Sequence, residues 1–523
     1  VVTLYGGGEY WLYRYDRYTD VRLVFAPEED AAYFGGEDDN FTYPRFCLDM
    51  ALLRVYEDGK PIESPDHLVL PPDGARPGDL GFGPGHPGST DRLETMAQLT
   101  TQRDHTYPRR EEFLGRFLEA LNDYADRGPE QARQVGGMLM GMMNGQKAGE
   151  GEWAGLLDEN VWAKKQADEK DFRDRVAADP DLQERYGRAW DMIEEAEAKR
   201  VERIGALSFR RMPGFRLGST AQGIVRLVAE MQKPDAERLE GYHEADLKRM
   251  QFRLFSSAPV YAELEEFMIQ RGLEVMLEEL GPEDEFLILA LDGKEPAERA
   301  AELIAGTALI DPDARRALVD GGPEAVAASD DPMIVMALAL DPILREQQEW
   351  TENNVTSVLS EAGELLGAAR FAVYGKTTYP DATFTLRLSY GEVKGYPMNG
   401  TLAPPITTFY GLYDRARSFD NEPPFRPTKR FFDRESRLDL GRPMNFVCTA
   451  DIIGGNSGSP VVDTEGRLVG LIFDGNIESL VGRFVYDDTA GRAVSVHAAA
   501  IETVLRDLYD AGSIADEMMG TVR

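Results

Sequence analysis

The chain has 523 residues, with 57 Lys+Arg against 92 Asp+Glu, for a formal charge of −35. That length is past the size at which a single core stops growing, so two or three domains are expected, and a 42% hydrophobic fraction argues against a disordered acidic tail. The negative charge argues against nucleic acid or an anionic bilayer as partner, and no run approaches the ~20 apolar residues that span a membrane.

The chain opens Val1-Val2-Thr3-Leu4-Tyr5, with no basic n-region and no apolar signal core, and reads as if entered mid-domain. Residues 1–100 read as strands and turns. Val21, Leu23 and Phe25 alternate with Arg22 and Val24 up to Pro27, and Asp49 to Tyr56 is a second strand candidate before the turn Glu57-Asp58-Gly59-Lys60. Gly and Pro crowd residues 71–88, which predicts loops there. From about 108 to 365 the composition turns to Ala, Glu, Leu, Arg, Met and Gln, with helical spacing such as Leu247, Met250 and Leu254. Pro234 and Pro282 sit at helix starts, and no fixed repeat period is visible.

Beyond about 370 the pattern returns to strands. Phe384, Leu386 and Leu388 alternate with Thr385, Arg387 and Ser389. Val461-Val462, the turn Asp463-Thr464-Glu465-Gly466 and Leu468 to Phe473 predict a hairpin, and Val496 to Leu508 a C-terminal helix. The order β, α, β predicts an α+β chain in which a helical insertion interrupts a β domain. The expected divisions are 1–100, 101–370 and 371–523.

Chemistry concentrates in Gly454-Gly455-Asn456-Ser457-Gly458-Ser459-Pro460, between two strand candidates. A Ser on a tight glycine turn projects its hydroxyl into a cleft while two backbone N–H groups face a developing oxyanion. That logic names Ser457 as nucleophile and the N–H groups of Gly455 and Ser457 as the oxyanion hole. The motif is not the G-x-S-x-G elbow, because Ser459 stands where the second glycine belongs. A plain Gly/Ser-rich turn would read similarly, but the flanking strands and the Ser-Pro-Val-Val continuation favour the nucleophile. Cys47 and Cys448 are the only cysteines, too few for a disulfide scaffold or a Cys-rich zinc site, and their pairing stays open. Phosphate-loop, H-E-x-x-H and EF-hand motifs are missing, so no metal or cofactor is expected. Glu194-Glu195-Ala196-Glu197 reads as a solvated helix face.

Several segments carry a resemblance. They are Gly454 to Leu480, Phe484 to Asp488, Arg492 to His497, Phe34 to Phe41 with Pro44-Arg45, Lys233 to Arg238, and Tyr379 to Leu388. Together they resemble the bacterial dipeptidyl-peptidase 7/11 family of serine peptidases. The resemblance implies a chymotrypsin-like double β-barrel with a large all-α lid inserted between the catalytic Asp and Ser. It also implies removal of dipeptides from the free N-terminus of peptides, in the periplasm or cell envelope, and leaves a homodimer open.

Site roles follow the same resemblance. The triad Asp, nine residues after the motif Asn40, falls on Asp49, with Asp38, Asp39 and Asp451 as rivals. An enzyme that counts two residues needs a fixed anchor for the substrate ammonium, and the matching positions are Asp474, Asn40 and Phe41, with Asn144 from the helical region. Phe41 departs from the usual Trp, Phe46-Cys47-Leu48 departs from smaller, more polar residues, and Asp474 could otherwise be read as a strand-end cap. Gly475 leaves space and no charge in the specificity pocket, which implies a broad, apolar-leaning preference before the cut. Asn456 stands where digestive peptidases carry an Asp that pairs with a new N-terminus, so no such activation is expected. None of His67, His86, His105, His243 and His497 precedes Asp49, so the general base is expected upstream, and this stretch alone is expected to be inactive. The competing readings are a non-catalytic peptide-binding protein and an endopeptidase of the same fold.

Overall fold

The computed structural model describes residues 2–5, 9–377 and 379–520. Two compact units emerge. The first comprises Val1–Glu111, Met143–Arg188 and Glu364–Arg523, and the second Glu112–Met142 and Ala189–Gly363.

The first unit is built on a seven-stranded antiparallel sheet. Its strands in chain order are β1 (Leu80–Gly85), β2 (Arg387–Glu392), β3 (Ile406–Thr408), β4 (Pro443–Cys448), β5 (Pro460–Val462), β6 (Leu468–Gly475) and β7 (Ala493–His497). Across the sheet they lie in the order β3-β4-β7-β6-β5-β1-β2. The sheet curls until its β2 edge reaches β4, the strand next to the other edge: Val393, just past β2, bridges Cys448 on β4, and Lys394 N–H donates to the Val447 carbonyl at 3.2 Å. Closure removes the exposed edge that a flat sheet would leave. Val393, Phe446, Cys448, Val461, Ile472 and Ala493 fill the interior.

The hairpin β5–β6 forms as its apolar runs and turn predict. Asp463 Oδ1 accepts from the N–H groups of Glu465 and Arg467, and Gly466 takes the left-handed φ of +76°. Residues 71–88, expected to be loops, contain β1 in the middle of the sheet. Glycine content there reflects crowding. A methyl at Gly81 would stand 2.9 Å from Val461, one at Gly83 3.2 Å from Ile472, and one at Gly85 2.5 Å from both Asn456 Oδ1 and Ser459 Oγ.

Two other expectations shift. The alternation at 384–389 enters a strand only from Arg387, because Phe384 turns at a φ of +56°, and its large side chains face outward. Val496 belongs to β7, so the C-terminal helix starts at Ala498. A second sheet pairs Asp20–Phe25 with Leu52–Glu57 and Lys60–Pro61, so the strand predicted from Asp49 begins three residues later. Asp49 is thereby left in the approach to the strand.

The second unit is helical. Its core gathers Ile224, Leu273, Phe286, Leu287, Met333 and Leu340, all fully buried, from helices Leu217–Glu230, Ala262–Leu280, Glu285–Leu291 and Pro332–Thr351. Part of the helical sequence, including residues 143–188, packs in the first unit.

Candidate active site

Backbone bonds fix the turn around Ser457 to β6. Gly458 N–H donates to the Ile472 carbonyl at 2.7 Å, and Ile472 N–H donates to the Ser459 carbonyl at 2.9 Å. Asn456 is 2% exposed and donates from Nδ2 to the Ile453 carbonyl at 3.0 Å, so it braces the turn as an uncharged residue. Gly455 and Gly458 hold φ of +109° and +83°. A methyl at Gly455 would lie 2.6 Å from the His86 carbonyl and 2.8 Å from Gly88 N, so this position demands glycine twice, for conformation and for space.

Ser457 is exposed, and its Oγ donates a long 3.4 Å bond to the Phe473 carbonyl. The N–H groups of Gly455 and Ser457 donate to no partner among the described residues. Donors left free in a turn that presents a hydroxyl are the chemical content of an oxyanion hole.

One residue beyond Phe473 on β6 stands Asp474, its side chain 8% exposed. Its Oδ2 accepts from Phe41 N–H at 3.1 Å and from Arg45 Nη1 at 2.7 Å, and Oδ1 accepts from Gly475 N–H at 2.8 Å. Burial pushes this carboxyl above the ordinary carboxylate range, and Arg45 pulls the other way. Phe41 aims its N–H at Asp474 from a left-handed φ of +52°. Next to it, Asn40 is 4% exposed and donates to Asn144 Oδ1 at 3.1 Å. Asn144 comes from the helix Pro129–Leu157, which brings it against Asn40. The structure thus gathers Asn40, Phe41, Asn144, Asp474 and Gly475, with Ser457 one strand residue away.

Asp49 sits in a loop that Asn445 on β4 holds, accepting from Cys47 N–H and donating to the Cys47 carbonyl, both at 2.8 Å. Its carboxylate has solvent access and no hydrogen bond among the described residues. Even so, partial loss of water raises its pKa; Arg45 opposes that rise and Asp474 adds to it, so Asp49 feels the Arg45–Asp474 pair. Of the rivals, Asp39 pairs with Arg415, Asp451 is held by both Nη atoms of Arg92 at 2.6 and 2.8 Å, and Asp38 is an exposed residue of the short helix Gly36–Asp39.

None of the five histidines bonds Ser457 or Asp49. His497 is fully buried, pairs through Nε2 with the Ala75 carbonyl at 2.9 Å, and accepts from Ala499 N–H. Burial lowers its pKa to about 4. His86 lies against Tyr15 and Phe384, and His243 against Asp235. Cys47 and Cys448 are buried free thiols in separate clusters of the core. Among the described residues no group of three or more His, Cys, Asp and Glu side chains could hold a metal ion.

Three contributors escape a reading of the sequence. Arg45 is 2% exposed and ties Asp474 to its own loop through the Asp39 carbonyl at 2.5 Å and Cys47 Sγ at 3.1 Å. Asn445 holds the Asp49 loop. Glu37 reaches Asn40 Nδ2 at 3.2 Å. The Pro44-Arg45 pair lay within the quoted motif and was the available signal for Arg45.

The peptidase S46 family matches the chain over residues 1–520. The Asp/Glu-specific dipeptidyl-peptidase of Shewanella putrefaciens is 29% identical over 99% of this chain and 77% of its own length. Dipeptidyl-peptidase 7 of Capnocytophaga gingivalis is 25% identical over 98% of this chain and 74% of its own length. The crystal structure of Porphyromonas endodontalis DPP11 in complex with the dipeptide Arg-Glu has the same fold, with a TM-score of 0.76 at 18% identity, covering 99% of this chain and 77% of that one. From the family match over nearly the whole chain and these relatives, the conclusion is that this chain belongs to peptidase family S46 and is an enzyme, a serine peptidase.

Proposed function

We propose that the protein removes dipeptides from the free N-terminus of peptides by acyl transfer to Ser457. The observation that carries the reading is the spacing along β6. Phe473 receives the Ser457 hydroxyl, and its neighbour Asp474 anchors Phe41 beside the Asn40–Asn144 pair. A rigid strand therefore sets nucleophile and ammonium anchor a short fixed distance apart, and two extended residues span about 7 Å at ~3.3 Å each. Ser457 Oγ attacks the second carbonyl carbon and gives its proton to a general base oriented by Asp49, a group other than the five histidines of this chain. The oxyanion falls between the N–H groups of Gly455 and Ser457. The base returns the proton to the leaving amine, and water then releases the dipeptide.

The fold reading completes the picture: the closed ring of β1, β2, β4, β5, β6 and β7 is one barrel of a chymotrypsin-like pair, and the sheet at 20–61 belongs to the other. Family resemblance supports the periplasm or cell envelope as its location.

For the residue before the cut, the reading is an uncharged, apolar-leaning pocket. Gly475 adds no charge; a methyl there would stand 2.4 Å from Ser479 Oγ and 3.5 Å from Ile452, and the Arg492 guanidinium is committed to the carbonyls of Lys394, Gly395, Asp488 and Gly491. That apolar reading rests on Gly475 alone; the comparisons favour an acidic preference instead, through the Asp/Glu specificity of the Shewanella relative. Substrates ending in Leu, Met, Asp or Glu before a reporter amine separate the two. Faster cleavage after Asp or Glu would overturn the apolar reading.

The anchor is tested with Asp474→Ala in the intact protein. Truncating one partner of a buried charge pair costs roughly 2–5 kcal/mol, so kcat/KM for free-amine substrates should fall by about 10²–10³, while Ser457 still reacts with a small sulfonylating reagent. Undiminished cleavage would remove Asp474 from the mechanism. Cleavage of N-terminally blocked peptides at comparable rates would favour an endopeptidase instead.

A further inference from the structure

An ammonium needs acceptors, yet an asparagine amide offers one acceptor and two donors, and rotation of its end by half a turn exchanges them. Asn40 can therefore serve the anchor only if something decides which end faces the substrate. Both of its amide hydrogens are taken. Glu37 accepts from Asn40 Nδ2 at 3.2 Å to Oε2 and 3.4 Å to Oε1, and Asn144 Oδ1 accepts from the same nitrogen at 3.1 Å. Asn40 Oδ1 receives no donor from the described residues.

Glu37 is itself held in place. Tyr33 donates its hydroxyl to Oε2 at 2.9 Å, and burial together with that bond raises the phenol's pKa, so it stays a donor. Lys147 donates from Nζ to the Glu37 carbonyl at 2.6 Å and lies 3.7 Å from Oε1. Glu37 stands on the short helix Gly36–Asp39, directly before Asn40, so the clamp is built into the chain that carries the anchor.

We infer that Glu37 is a positioning residue for recognition of the substrate's amino terminus: with Asn144, it fixes the Asn40 amide so that Oδ1 faces the ammonium. This rests on the reading of Asn40 as part of the anchor. Glu37 touches Asn40 and acts through it.

The test measures KM and kcat of the intact protein on a free-amine dipeptidyl substrate and on the analogue in which a hydrogen replaces the N-terminal amine. A hydrogen bond to a charged partner corresponds to about 10- to 100-fold in binding. Glu37→Ala should raise KM for the free-amine substrate at least about tenfold, leave kcat within about twofold, and leave the des-amino analogue unaffected. Glu37→Gln, which can still accept from Asn40 Nδ2, should restore KM to within about threefold of the parent.

Unchanged KM in Glu37→Ala, or equal losses on both substrates, would overturn the proposal. Failure of Glu37→Gln to restore KM would overturn positioning in favour of a bare charge effect. Asn40→Ala is measured in parallel. If it too leaves KM unchanged, the anchor reading falls and the proposal with it; if it raises KM while Glu37→Ala does not, the proposal alone falls. Should Glu37→Ala fail to fold, Tyr33→Phe carries the test. It loosens Oε2 without touching Asn40, and a free-amine KM equal to the parent's would overturn the role given to Glu37.

Discussion

Gly455 combines a φ of +109° with a backbone carbonyl and a backbone nitrogen, each under 3 Å from where a methyl would stand. Gly455→Ala should therefore turn its N–H away from the oxyanion position. Loss of one such donor lowers kcat by about 10²–10³, and kcat measured alongside the melting temperature separates this from simple unfolding. Arg45 is the matching case for charge. Buried against Asp474, it compensates a carboxylate that burial already disfavours. Arg45→Met leaves that carboxylate with its two backbone donors but no counter-charge, and breaking a buried pair typically costs about 3–5 kcal/mol. Chemical denaturation should show a loss of that size at neutral pH, shrinking as acid protonates Asp474. Much of this site was legible. Ser457 stands in a glycine turn whose residues point to its chemistry, whereas Asp474, Asn40 and Phe41 were named through the family resemblance. Arg45 and Glu37 were not, because sequence cannot say which carboxylate a cation will meet 429 residues away, or which amide a nearby glutamate will clamp.

At the level of elements, the hairpin β5–β6 announced itself through two apolar runs on either side of a turn. β1 did not, since its close packing against Val461, Ile472 and Asn456 requires glycine, and glycine reads as loop. The junction of β7 with the following helix was hidden for another reason. His497 ends the strand and caps the helix Ala498–Thr503 by accepting from Ala499 N–H, so one residue serves two elements. That junction has a pH signature. Burial lowers the His497 pKa from 6.5 to about 4, so the unfolded chain takes up the proton first. The stability it contributes is complete above pH 6.5 and is lost as pH falls towards 4, by about 3 kcal/mol in all. His497→Gln should flatten the decline in unfolding free energy between pH 7 and 4. An unchanged slope would mean that other groups set the acid limb.

Over the whole molecule, each unit has its own hydrophobic core, one centred on Ile224 and Leu273, the others on Phe409 and Val496 and on Phe446 and Ile472. Independent cores predict two calorimetric transitions. Asn40, Phe41, Asn144, Ser457 and Asp474 all belong to the first unit. A free-amine dipeptide at 100 times its Kd should therefore stabilise the corresponding transition by about 2.7 kcal/mol and leave the other in place. A single transition, or an equal shift of both, would count against this assignment. The β–α–β order was legible because composition changes abruptly; which helices join which core was not, since helix periodicity names a buried face without naming its partner.

The closed ring also bears on how the protein is made. Phe82 on β1 pairs with Tyr390 on one side and Val462 on the other. When β1 leaves the ribosome, its neighbours have not been translated. At 5–20 residues per second, the 380 residues from position 82 to 462 take roughly 20–80 s to synthesise. Until Tyr390 emerges, 308 residues after Phe82, β1 has no partner on either edge, and its second edge waits for Val462, while the helical stretch between emerges with local contacts that form far faster. The glycines that let β1 fit beneath the nucleophile turn also leave it few apolar side chains to expose while it waits, apart from Leu80 and Phe82.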